Sequence, residues 1–88
     1  MVDHAIIITL DAHAVRRSED RGTNESEIRE AVSFGESFSA KRGRTEFRAI
    51  FRYEAFWEGV FYRNKQLHVF AAKQQHGWHV ITVIVKFF

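Results

Sequence analysis

Three side chains near the start of the chain are spaced so that one face of a helix would carry them all. His13, Arg17 and Arg21 follow one another at intervals of four residues, which aligns them in a row along a helix. Two arginines one turn apart repel each other by roughly 0.2–0.5 kcal/mol, so a compensating partner is expected. One interpretation is an anionic ligand such as phosphate. The other is that the arginines pair with Asp20 and Glu25 while His13 bonds to backbone near the start of the helix.

Charge is distributed unevenly along the 88 residues. Residues 1–40 carry four Arg against eight Asp and Glu, a net charge of −4, whereas residues 41–88 carry nine Lys and Arg against three Glu, a net charge of +6. A basic half favours an anionic partner, most often nucleic acid, unless the two halves neutralise each other across the fold. Lys41, Arg42 and Arg44 fall in a segment that could follow a nucleic-acid backbone or simply be solvated.

Composition narrows the class of protein. The length predicts one domain, and the 45% hydrophobic and 15% aromatic content is typical of a folded chain. The absence of Cys excludes disulfides and thiolate chemistry and fits a reducing cytoplasm. The apolar run from Ala5 to Leu10 is too short for a membrane span or a signal-peptide core, so we expect a soluble cytoplasmic protein. The five His, including His4, show no ligand spacing, and we expect no metal and no cofactor.

The first half of the chain predicts one strand and two helices. Ile6 to Leu10 is rich in β-branched residues and predicts a strand. Asp11 is a suitable N-cap for a helix from about Ala12 to Asp20, and Gly22 follows where a helix commonly ends. A second helix is predicted after Asn24, with the apolar stripe Ile28, Ala31 and Val32. Residues 36–43 look like a loop.

From Arg44 onward the hydrophobic period changes to two, which predicts strands. We place three-residue turns, each ending in a left-handed Gly, at residues 57–59 and 75–77, and a last strand over residues 78–88. That strand is apolar on both faces and is predicted to be central or to form an interface. The turns align Phe47 with Val69 and Val83, and Ala49 with Leu67 and Val85, as an apolar face. The opposite face then carries Arg48, Arg52, Asn64, Gln66, His68, Thr82, Ile84 and Lys86.

These elements predict an α+β domain with the order β-α-α-β-β-β spanning residues 1–88. Its two helices would cover the apolar face of a mainly antiparallel sheet. The helical row and the polar sheet face would then lie on opposite sides, and they could share a site only near an edge of the sheet.

The pattern His13-Ala-x-x-Arg17-x-x-x-Arg21-Gly22, followed by a Glu-rich helix ending at Gly35-Glu36, resembles a family of small bacterial domains of unknown function. The closing strand Val80-Ile-Thr-Val-Ile-Val-Lys-Phe87 is similar to the end of that family. The family in turn resembles, more distantly, the RelE- and BrnT-like ribonuclease toxins, which have two helices followed by an antiparallel sheet. The resemblance implies metal-free RNA cleavage by His, Arg, Lys or Tyr on the sheet, but it assigns no catalytic set residue by residue.

The polar sheet face supplies candidates for this chemistry. Metal-free RNA cleavage requires a base, an acid and cations that stabilise the charged transition state. His68 could be the base or the acid, because imidazole titrates near neutrality, and Arg48 and Lys86 could hold the phosphate, with His13 and Arg17 as further catalytic candidates. The alternative is a solvated basic sheet face. The candidates for RNA binding are Arg21, Arg52, Lys41, Arg42, Arg44, Gln66 and Thr82.

Two functions therefore remain open from the sequence. The first is a RelE/BrnT-like RNA-binding domain, in its catalytic form a metal-independent ribonuclease toxin with an antitoxin protein as partner. The second is a non-catalytic interaction module, homodimeric through the C-terminal strand. Aromatic side chains crowd the first hairpin and could stack on bases, fill the core or form a dimer contact: Tyr53, Phe56, Trp57, Phe61 and Tyr62.

Overall fold

The protein is an α+β domain in which two helices cover one face of a five-stranded sheet. The computed structural model describes residues 6–88, so His4 and Ala5 lie outside the described part. The sheet order is β1-β5-β4-β3-β2, and only the β1–β5 pair is parallel. The elements are β1 (Ile7–Leu10), α1 (Ala12–Arg21), α2 (Glu25–Phe34), β2 (Glu36–Ser39), a 3₁₀ turn (Lys41–Gly43), β3 (Thr45–Trp57), β4 (Val60–Gln74) and β5 (Gly77–Phe87).

The helices begin and end as their capping residues predict. The Asp11 carboxylate accepts a hydrogen bond from the His13 amide, and the Asn24 side chain accepts one from the Glu27 amide. Gly22 closes α1 in the left-handed conformation, with φ of 86°. Each helix has ten residues, and within residues 6–88 no helix is long and apolar enough to cross a membrane.

The segment predicted as a loop contains the short strand β2, so the observed order is β-α-α-β-β-β-β. All four residues of β2 are exposed, and the strand pairs with β3 at the edge of the sheet. An edge strand of this kind is held by main-chain hydrogen bonds and buries no apolar face, so it leaves no hydrophobic period in the sequence. Gly35 allows the chain to enter β2, because an added Cβ would lie 2.5 Å from the carbonyl oxygens of Ala31 and Arg48.

Both hairpin turns have two residues, Glu58-Gly59 and Gln75-His76, and the predicted three-residue turns are wrong. Each turn is one residue shorter than predicted, and each hairpin has one extra residue in a β-bulge instead. The bulges lie between Arg52 and Ala55 on β3 and between Val80 and Thr82 on β5. The two differences cancel in the middle of the sheet. Phe47 therefore pairs with Val69 and Val69 with Val83, and Ala49, Leu67 and Val85 align in the same way, as the sequence predicts.

Gly77 has a different role from the predicted one. It is not among the residues with positive φ. Its missing side chain instead allows β1 to approach, because an added Cβ would lie 1.8 Å from the Ile7 carbonyl oxygen.

The helices pack on the predicted apolar face of the sheet. Leu67, Val69 and Val83 are fully buried there, together with Ile28 of α2 and Ala14 of α1. The prediction that β5 is central is confirmed for its first part, Gly77–Val80, which lies between β1 and β4. The opposite face of the sheet, here called the open face, carries the polar side chains predicted for it.

A buried lysine ties the helix pair to the central strand. Lys65 on β4 donates to the carbonyl oxygen of Gly22 at 2.8 Å and forms an ion pair with Glu27 at 2.7 Å. Its side chain is only 8% exposed. Thr23 donates to the same carboxylate oxygen at 2.9 Å, so the link between α1 and α2 is held at three points.

We expect Lys65→Met to lower the free energy of unfolding by about 3 kcal/mol, because it leaves the Glu27 carboxylate and the Gly22 carbonyl without their partner. Urea denaturation measures this change. The double variant Lys65→Met/Glu27→Met is the control and should recover part of the loss, since it leaves no unpaired charge. A single variant as stable as the wild type would show that the lysine does not fasten the helices.

Candidate functional site

A glutamate organises the polar cluster on the open face. Arg48 Nε donates to Glu46 Oε2 at 2.7 Å, and His68 Nδ1 lies 2.6 Å from the same oxygen. The Arg48 guanidinium also reaches Glu46 Oε1 at 3.3 Å and stacks 4.2 Å from the ring centre of Phe38. The two central candidates from the sequence are therefore brought together, but through a carboxylate that both of them share.

The electrostatics of this cluster favour the charged carboxylate. The hydrogen bond from Arg48 holds the pKa of Glu46 below its ordinary value, and burial opposes this only in part; the hydrogen bond to His68 lowers it further. The same contact with Glu46 raises the pKa of Arg48. Arg48 is consequently neutralised by its neighbour and is not an unpaired cation awaiting a phosphate.

His68 is held at both ring nitrogens and is only 7% exposed. Because a carboxylate only accepts, Nδ1 must carry the hydrogen of the bond to Glu46. Nε2 lies 3.1 Å from the side-chain oxygen of Gln66. When the ring is protonated, Nε2 donates a hydrogen bond to this oxygen. A neutral ring is satisfied when the Gln66 amide rotates by half a turn and presents its NH₂ group. Gln66 therefore occupies the second ring nitrogen of His68 in either amide orientation.

A groove of about 470 Å³ lies next to this cluster, between the 3₁₀ turn and the open face. Lys41, Arg42 and Arg44 contribute three cationic side chains to it, and within residues 6–88 none of them forms an ion pair. Arg42 and Gly43 have φ of 63° and 71°, a left-handed pair that bends the turn tightly. The rest of the lining is Ala40, Glu46, Phe70, Ile81 and Thr82.

The remaining candidates on the sheet lie farther along the open face. Lys86 pairs across the strands with Gln66, and Arg52 pairs with Asn64. Neither Lys86 nor Arg52 lines the groove, whereas Thr82 does. The structure therefore brings the three cations of the turn and Thr82 to one place, beside His68 and Arg48, and leaves Arg52 and Lys86 outside it.

The helical row is not part of this site, because α1 covers the other face of the sheet. Arg17 Nε donates to His13 Nε2 at 3.4 Å on the exposed side of the helix. Arg21 turns inward and donates to the main-chain carbonyl of Val83. The alternative pairing with Asp20 and Glu25 is also not formed within the described residues, since Glu25 pairs with Arg29.

Glu46 is the residue that the sequence reasoning missed as a site residue. Glu46 and Arg48 are two residues apart on one strand and therefore share a face. The predicted register puts Arg48 opposite His68, so Glu46, two residues away, is a diagonal neighbour of His68 within reach of a long side chain. A lone carboxylate among cations on that face was the available signal.

The lowered pKa of Glu46 predicts how acid affects stability. A carboxylate with a lower pKa in the folded state stabilises the fold fully above its unfolded value, near 4.5, and this contribution is lost as the pH falls through the folded pKa. Glu46→Gln should therefore be less stable than the wild type at pH 6, and the difference should shrink from pH 5 towards pH 3. Urea denaturation of both proteins across this range measures it. A difference independent of pH would contradict the prediction.

The comparison with known families covers most of these elements. A family model described as a domain of unknown function (DUF4258) matches residues 10–85, from the end of β1 into β5. None of the curated proteins and none of the solved structures matches the chain. The match includes both helices, the 3₁₀ turn, the groove and the open face apart from Lys86. The chain therefore belongs to the DUF4258 family.

Proposed function

We propose that this domain binds RNA in the cytoplasm, with the groove beside the 3₁₀ turn as its phosphate site. The observation that carries the proposal is the set of three cations, Lys41, Arg42 and Arg44, that share one groove without ion pairs in the described chain. Glu46 does not cancel them, because it is already paired with Arg48. Cationic side chains that release counterions from phosphates supply most of the sequence-independent affinity for nucleic acid.

The floor of the groove is suited to a single-stranded nucleic acid, whose bases are accessible. Phe70 and Ile81 provide an apolar surface, and Thr82 adds a hydroxyl that can donate or accept. Aromatic rings beside a cationic groove are the usual platform for single-stranded nucleic acid. The distant resemblance to the RelE- and BrnT-like toxins favours RNA as the polymer.

Ribonuclease activity of the RelE/BrnT type is the second candidate. The observation in its favour is the bond between Glu46 and His68, because a carboxylate that orients an imidazole is a common arrangement for a general base. Against it, His68 is almost fully buried with both nitrogens bonded, and Arg48 is committed to Glu46. We therefore place RNA binding first. We propose an antitoxin partner only for the case in which the domain is a ribonuclease toxin.

We expect a fluorescently labelled single-stranded RNA to bind with an affinity that falls as salt rises. Three phosphate contacts correspond to a slope of log K against log salt of about −2. Arg42→Asn should reduce the size of that slope by about 0.7, because one contact is lost, while Asn tolerates the left-handed backbone at this position. Fluorescence anisotropy at several KCl concentrations measures both values.

The matched control is Arg16→Gln, which removes one exposed positive charge from α1 outside the groove. It should leave the slope unchanged. A slope near zero for the wild type would end the RNA-binding proposal, and equal slopes for the two variants would place the phosphate site elsewhere.

We expect total RNA incubated with the wild type and EDTA to remain intact, because His68 is almost fully buried and the Glu46 carboxylate is paired with Arg48. Gel electrophoresis of the RNA measures this outcome, with His68→Ala as the comparison. Cleavage by the wild type that is lost in His68→Ala, together with growth arrest on expression, would instead establish the ribonuclease.

A further inference from the structure

In the part of the chain that the structure describes, the outer edge of the second half of β5 presents main-chain groups that no strand pairs with. Asn64 and Phe88 exchange both of their main-chain hydrogen bonds, at 2.8 and 3.0 Å. In an antiparallel ladder such pairs alternate with pairs whose amides and carbonyls point away. Lys86 and Ile84 therefore bond to β4, whereas the main-chain groups of Val83, Val85 and Phe87 point to the outer side.

The strand β1 covers only the beginning of that edge. It pairs with Gly77–Val80, and the chain then leaves the sheet at Asp11 to start α1. Within residues 6–88, no strand continues along β5 from Val83 to Phe87. One outward group does have a partner, because the guanidinium of Arg21 donates to the Val83 carbonyl. The last arginine of the helical row therefore occupies one position of an otherwise open strand edge.

A groove of about 410 Å³ runs beside this edge, between the end of α1 and the tip of the β3–β4 hairpin. Its apolar lining comes from Trp57 and from residues of β5, with Trp57 stacked on Phe87 at 5.0 Å between ring centres. Its charged groups are the carboxylates of Asp20 and Glu58 and the guanidinium of Arg21. Arg21 keeps its charge when it donates to the neutral Val83 carbonyl, but the two carboxylates outnumber this one guanidinium, so the groove is acidic on balance.

We propose that this edge binds an extended, basic segment of a partner protein, which adds a strand to β5 in line with β1. Alternating outward amides and carbonyls recognise the backbone of an extended peptide. Val83 is fully buried and its carbonyl is bound by Arg21, so the free stretch runs over residues 84–87, about 13 Å of strand. Asp20 and Glu58 favour Lys or Arg in that segment and disfavour a phosphate backbone. The site is separate from the proposed RNA groove and does not depend on it.

The first test uses the ¹⁵N-labelled protein and the peptide Ac-Lys-Val-Thr-Val-Lys-NH₂ as a probe. Before the peptide is added, the amides of Val85 and Phe87 should exchange with solvent faster than those of Ile84 and Lys86. Addition of the peptide should shift the amide resonances of Val85 and Phe87 and slow their exchange. Equal protection of all four amides in the free protein, or shifts that map elsewhere, would overturn the proposal.

Two matched peptides separate strand addition from simple charge attraction. A peptide N-methylated at alternate amides should bind about tenfold more weakly, because it can no longer donate hydrogen bonds to the carbonyls of the β5 edge. A peptide with Glu in place of Lys should also bind more weakly. Equal affinity for the N-methylated peptide would show that no strand is added.

A pair of protein variants tests the acidic rim. Asp20→Asn/Glu58→Asn should weaken binding of the probe several-fold, and Asn suits the left-handed backbone of residue 58. Glu19→Gln/Glu30→Gln removes two exposed carboxylates from the helices outside the groove and should leave binding unchanged. If sedimentation shows that the protein dimerises and the dimer protects Val85 and Phe87 without any peptide, the occupant is a second copy and the proposed partner is wrong.

Discussion

The alternation of side chains along the central strand β4 is the constraint on which the rest of the structure depends. Leu67 and Val69 face the helices and are fully buried, whereas His68 between them faces the open side. A shift of one residue in register would exchange these faces, burying the imidazole under the helices and exposing the core. The two bulges and the Lys65 anchor hold that register, so the positions of the core and of the polar cluster are fixed together.

The same alternation explains what the sequence could predict. Phe47, Val69 and Val83 are apolar at a period of two, so their common face and the helices that cover it follow from the pattern. The turns were harder, because moving one residue from a turn into a bulge leaves the central register unchanged. The strand β2 has no apolar period, and the contact between Glu46 and His68 depends on rotamers that no periodicity describes. The elements that bury an apolar face were therefore predictable, whereas the edge strand β2 and the bonds inside the cluster were not.

The distribution of charge in the fold matches neither of the two sequence interpretations completely, a basic half that binds an anionic partner or two halves that neutralise each other. The basic half does not simply neutralise the acidic half, because the three cations of the 3₁₀ turn gather at one groove. The acidic residues do not simply surround the helical arginines, because Asp20 faces the edge of β5 together with Glu58 of the basic half. The fold thus separates a cationic surface from an acidic surface. β5 contributes to both, through Ile81 and Thr82 at its bulge and through residues 84–87 beyond it.

The roles of the helical row follow from this separation. An arginine that faces a phosphate site must be free to turn towards it, whereas Arg21 is bound to Val83 on the edge of the sheet. Its companion Gly22 packs tightly as well, since an added Cβ would lie 2.8 Å from the Phe87 ring and 2.9 Å from Trp57. Arg21-Gly22 therefore joins the end of α1 to β5 and to the hairpin tip. In the sequence this pattern suggests an anion site. In the fold, its Arg21-Gly22 end contacts the open strand edge of β5 and packs against the residues beside it.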